Sequence, residues 1–109
     1  MLQNAVEPRI MNELPLETYL ARDDKGLLEI PRWLMPKAID FGEAVAANVI
    51  RRVKAHGPDS AADSQYLIRW FVERSRQHVT DQRLQMWFAG TAFHVCTQIL
   101  DQEGIAILD

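Results

Sequence analysis

The residue types in this chain best suited to hold a metal or move a proton are three histidines, His56, His78 and His94, and the single cysteine, Cys96. Their spacing argues against a shared site. On a helix, the two-residue step from His94 to Cys96 turns the side chains to opposite sides, and His56 and His78 belong to other segments. No carboxylate stands four residues from a histidine on one helical face, no glycine-rich loop offers a phosphate cradle, and no serine occupies a nucleophile elbow. Without a reactive constellation, the expectation is no catalytic activity, no metal and no cofactor.

The nearest approach to a site is a face rather than a motif. Trp87, Thr91, His94, Gln98 and Asp101 recur at helical spacing and combine an aromatic anchor, a titratable ring and hydrogen-bonding groups. Two readings fit: a binding face, or a polar layer buried between helices whose groups bond to one another. The layer takes precedence, because polar residues commonly fill such positions. A second face carries Tyr66 and Trp70 with Glu73, Arg74 and Gln77, opposite the apolar side formed by Leu67, Ile68, Phe71 and Val72. Arg74 follows Trp70 by one turn, so its guanidinium is expected on the indole. Aromatic rings away from the core require a covering surface, from this chain's N-terminal segment or from another molecule. The candidate interface is therefore Tyr66, Trp70, Arg74, Trp87, Thr91, His94 and Gln98.

These faces must be carried by helices. The longest periodic run, Thr80–Gly104, places Leu84, Met86, Phe88, Ala89, Ala92, Phe93, Val95, Cys96, Ile99 and Leu100 on an arc wider than half the circumference. One neighbour cannot bury so wide an arc, so this helix is expected at the centre of a bundle, capped by Thr80 or Asp81 and closed by Gly104. Pro36–Gly57 forms a second helix, with acidic residues early and Arg51, Arg52, Lys54 and His56 late, the order that suits the helix dipole. Its stripe of Ala38, Gly42, Ala46 and other small residues invites close approach of the Thr80–Gly104 helix. Pro36 is expected to push Met35 out of helical geometry and separate a single turn at 31–34. A third helix runs from a cap at Asp59 or Ser60 to about Gln77. Asn12–Asp23 reads as a short helix with Leu16, Tyr19 and Leu20 on one side. Residues 1–12 are expected to be loosely ordered, and Met11 is a second candidate initiator. Residues 27–30 and the apolar tail 105–108 are a candidate short strand pair.

With 109 residues, 48% hydrophobic and 25% charged, the chain suits one domain over 1–109 with a single core. A net charge of −3 disfavours a general polyanion binder. The lone cysteine points to a reducing compartment, and no apolar run reaches the ~18 residues of a membrane span. A soluble cytoplasmic protein is expected.

The words DDKGLLEIPRWL resemble the turn and strand of swapped-hairpin AbrB-type DNA-binding domains, in which a Lys-Gly turn precedes a strand ending in Ile-Pro. The likeness spans about a dozen residues. The family's pattern continues with another strand, whereas AIDFGEAVAANVI here has helical periodicity, so the resemblance is not carried into the fold.

The sequence therefore predicts an all-α bundle of three main helices plus a short N-terminal one. It predicts a small interaction or regulatory module acting as a homodimer, the commonest closed assembly. The alternative is a DNA-binding regulator using Arg51, Arg52, Lys54, Arg69, Arg74 and Arg76, which requires those cations on one continuous face.

Overall fold

The computed structural model describes residues 19–23, 26–61 and 63–107 and is mostly helical. A two-stranded hairpin, β1 (Tyr19–Asp23) and β2 (Gly26–Ile30), leads into α1 (Leu34–His56). A 3₁₀ turn at Pro58–Ser60 follows, then α2 (Ser64–Arg76) and α3 (Gln82–Gln102).

The long apolar helix is central, as its wide arc requires: α1 and α2 both pack along α3. Phe88, Ala89, Ala92, Cys96 and Leu100 are its buried residues. Leu84, Phe93, Val95 and Ile99 flank them half-buried, whereas Met86, expected in the core, is 63% exposed. The side chain of Asp81 accepts hydrogen bonds from the amides of Arg83 (2.7 Å) and Leu84 (3.2 Å) and so caps the first turn. At the other end Gly104 adopts φ 74°, which lets the Ile105 amide reach the Leu100 carbonyl at 2.9 Å and closes the helix in a Schellman motif.

Small residues set the distance between α1 and α3. At Gly42 an added Cβ would lie 2.5 Å from the Ala92 carbonyl oxygen and 3.0 Å from Val95 Cβ, so the backbones meet more closely than any side chain permits. Ala38, Val45, Ala46 and Val49 continue the buried stripe of α1.

α1 starts at Leu34, two residues before Pro36, and Met35 is helical. The expected separation at Pro36 does not occur. Pro36 falls in the first helical turn, where its missing N–H would have had no intrahelical partner, and the Leu34 amide bonds to the Pro31 carbonyl at 2.9 Å to lead the chain in. α2 likewise starts later than its expected cap at Asp59 or Ser60. Residues 58–60 form the 3₁₀ turn, and Asp63 is the cap, accepting from the Tyr66 amide at 3.0 Å.

The mostly helical molecule fits the expected all-α class, and the strand expected at 27–30 is present; the short N-terminal helix and the partner of that strand are where the fold differs. Of the anticipated helix Asn12–Asp23, residues 12–18 lie outside the described set, and Tyr19–Asp23 is a strand paired antiparallel with Gly26–Ile30, Tyr19 opposite Ile30 and Asp23 opposite Gly26. The period of β2 explains this: Leu28 and Ile30 are buried while Leu27 and Glu29 are exposed, the alternation of a strand with one face on the core. Such a strand needs a backbone partner, and the nearest in sequence closes the smallest loop. Hence β2 pairs with β1 and not with 105–108. Ile105 and Ile107 instead pack irregularly against the larger core, and Leu108 lies outside the described residues.

Two apolar clusters result. The larger joins Val45, Ala46, Val49, Leu67, Phe71, Ala89, Ala92, Cys96 and Leu100 among the three helices. The smaller joins Leu28 and Ile30 of the hairpin to Leu34, Ala38 and Phe88. Phe41 touches both, its ring edge-on to Phe71 at 5.2 Å and stacked with Phe88 at 6.4 Å.

Candidate binding groove between two helices

The packed face of α2 is Leu67, Phe71 and Ser75, with Ile68 exposed at 44% and Val72 half-buried. This is a rotation from the face read in the sequence, and it decides where the aromatic pair goes. Tyr66 and Trp70 do not point away from the bundle. They stand on the flank of α2 that borders α1, with ring centroids 4.9 Å apart and exposures of 45% and 37%.

Beside them an open groove of about 380 Å³ runs between the second half of α1 and the first half of α2. Val49 and Ala55 supply apolar wall, Arg51 and Arg52 supply cations beside the His56 ring, and Tyr66 and Trp70 form the opposite side. No carboxylate lines it. Arg51 donates to the side-chain oxygen of Asn48, a neutral partner. An ion pair among the described residues, Glu73 with Arg76 at 3.0 Å, lies outside the groove.

Arg74 is not on the Trp70 indole. Its guanidinium sits over the Phe41 ring, 4.6 Å from the centroid, and donates to the Gln77 side-chain oxygen at 3.1 Å. The α3 residues of the anticipated interface are separate from this groove. Trp87 is half-buried against the hairpin cluster, so the chain's own β2 and α1 supply much of the cover its ring needs. Thr91 is half-buried, and His94, Gln98 and Asp101 are exposed. Among the described residues the buried polar layer anticipated for Trp87, Thr91, His94, Gln98 and Asp101 does not form, because α1 and α2 pack on the apolar arc of α3 and no other described helix covers the remainder. The seven interface candidates thus divide into Tyr66 and Trp70 at the groove, Arg74 over Phe41, and an outer α3 face.

Arg51, Arg52 and His56 suit the helix dipole at the end of α1, and the fold also sets them beside the aromatic pair, a meeting that the dipole argument does not predict. Asn48, Arg52 and Ala55 form a flanking stripe at helical spacing beside the core residues Val45 and Val49, which sets Arg52 at the edge of the packed face without indicating which residues of α2 it meets.

Two ionisable groups are shifted by their surroundings. Burial, then Lys37 and Arg74, push the His78 pKa below its ordinary value, with the ring packed 5.5 Å from Phe88. Burial raises the Cys96 thiol to about 11, so it is protonated and unreactive at neutral pH. Among the described residues no group of three His, Cys, Asp or Glu side chains is placed to hold a metal ion, and no helix is long and apolar enough to cross a membrane. Compared with known protein families, with characterised proteins and with solved structures, the chain matches none.

Proposed function

We propose that this chain is a small interaction or regulatory module with no catalytic activity of its own, and that it docks through the Tyr66–Trp70 side of the α1–α2 groove. The observation that carries the reading is the aromatic pair itself: two large rings, 4.9 Å apart and tilted at 49° to each other, open to solvent beside an apolar wall. Interfaces concentrate their energy in such anchors. The buried lone thiol supports a reducing, cytoplasmic setting.

The assembly suggested by the sequence is a homodimer through this face. Sedimentation equilibrium at high micromolar concentration tests it: if a second copy covers this face, the wild type contains dimer and Trp70→Ala weakens it by about tenfold or more with helicity retained. A monomeric wild type would retire the homodimer and leave a different protein as the partner. A photo-crosslinking residue in place of Tyr66, in the cell that makes the chain, should give a discrete protein adduct. Absence of any adduct would remove the docking role.

The DNA-binding alternative needs six cations on one face. At 100° per residue, Arg69 and Arg76 lie roughly 140° and 160° around α2 from Arg74, and Lys54 lies on α1 outside the groove. That dispersal favours the interaction module.

A further inference from the structure

We infer that the occupant of the α1–α2 groove is an acidic segment of a protein partner, carrying an apolar or aromatic side chain between carboxylates; this rests on the groove being a docking surface, as proposed above. Charge complementarity is the first support. Arg51, Arg52 and His56 line the groove with no carboxylate among the lining residues. Among the described residues, the Arg51 guanidinium donates to the neutral amide oxygen of Asn48, and neither Arg51 nor Arg52 makes an ion pair. Guanidinium groups in this state are open to two-point hydrogen bonding by carboxylates. The second support is the juxtaposition of those cations with the Tyr66–Trp70 pair and the Val49–Ala55 wall, which gives an apolar side chain a place to insert beside the charges.

The same features rank the other occupants lower. Arg51 to His56 spans about 8 Å along α1 at 1.5 Å per residue, enough for two neighbouring anionic groups. Strand-tracking nucleic-acid grooves cover about 4–16 nucleotides, and the net charge of −3 repels a long polyanion. A second copy meeting this groove with its own across a two-fold axis would bring together two surfaces that each present Arg51 and Arg52 and no carboxylate, an unfavourable like-charge pairing.

The test is a binding titration of the full chain, read by tryptophan fluorescence and by backbone amide shifts. The probes are an acidic peptide of about twelve residues built from Glu and Leu, its counterpart with Lys in place of Glu, and oligothymidylate of about twelve nucleotides. The acidic peptide should bind, shifting amides around Arg51, Arg52, Tyr66 and Trp70, and should weaken as salt rises. Arg51→Glu with Arg52→Glu should reduce its affinity about tenfold or more, as should Trp70→Ala. Lys54→Glu, on the same helix outside the groove, should leave it within about threefold, which separates the groove from general attraction. The lysine counterpart should not bind. Failure of the acidic peptide to bind would overturn the inference. So would tighter binding of oligothymidylate, indifference to the double arginine change, or a wild-type dimer that occludes the groove. If the acidic peptide fails while the Tyr66 crosslinker still captures a protein, only the acidic class is lost; if both fail, the docking surface itself is lost.

Discussion

Gly42 is the residue with the least freedom to change. Alanine there would ordinarily favour a helix by up to about 1 kcal/mol, but the added Cβ would meet a backbone carbonyl at 2.5 Å. Overpacking costs about 1–3 kcal/mol, so the clash decides the sign. Gly42→Ala should lower the urea midpoint without loss of slope. His78 gives a pH dependence of definite sign. Its folded pKa lies below the ordinary 6.5, so below that pH the unfolded chain binds the proton more readily. The ring's contribution is intact above about 6.5 and is lost as pH falls through this value toward the folded pKa. Wild type should therefore lose more stability than His78→Gln between neutral and mildly acidic pH, as measured by urea unfolding; equal losses would contradict the assignment. Cys96 should resist thiol reagents in the native state and react on unfolding, because its thiol is fully buried and its pKa is raised to about 11.

Among the elements, α3 holds the others in place. Phe88 is fully buried in the hairpin cluster and touches Phe41, which also belongs to the three-helix core. Phe88→Ala should cost about 3–5 kcal/mol in denaturant unfolding and loosen the hairpin along with the helices. Leu84→Ala, at a half-buried position, should cost less. A two-stranded hairpin is marginal alone, and this one persists through Leu28 and Ile30 seated against Leu34, Ala38 and Phe88. Its outer side is tied by Arg83, which donates to the Leu27 carbonyl at 3.2 Å. At the helix starts, periodicity located the apolar runs to within a few residues, but the caps were settled by which aspartate could reach an amide. Asp63 reaches Tyr66, and Asp81 reaches Arg83 and Leu84.

For the whole molecule, far-UV circular dichroism should be dominated by helix with a small strand contribution from Tyr19–Asp23 and Gly26–Ile30. A sheet-dominated spectrum would contradict the fold. With a net charge of −3 and its cations dispersed, the protein should show no salt-sensitive retention on duplex DNA at physiological ionic strength. Tight retention would reverse the order of the two functional readings.

Three helices, the central place of Thr80–Gly104, and its close partnership with the Gly42 stripe were determined by the sequence alone. Each follows from local periodicity and residue size, which fix how much surface a helix must bury and how near a neighbour can come. Tertiary structure decided the rest. Asn12–Asp23 was too short a periodic run to outweigh a pairing demand from β2, so Tyr19–Asp23 became strand. The rotation of α2 about its axis depends on α1 and α3 together. It moved Ile68 outward and brought Tyr66 and Trp70 beside Arg51 and Arg52, residues in separate helices with no local signal joining them. The α1–α2 groove exists only because α3 holds both helices on its own apolar arc, a constraint that no window of sequence contains.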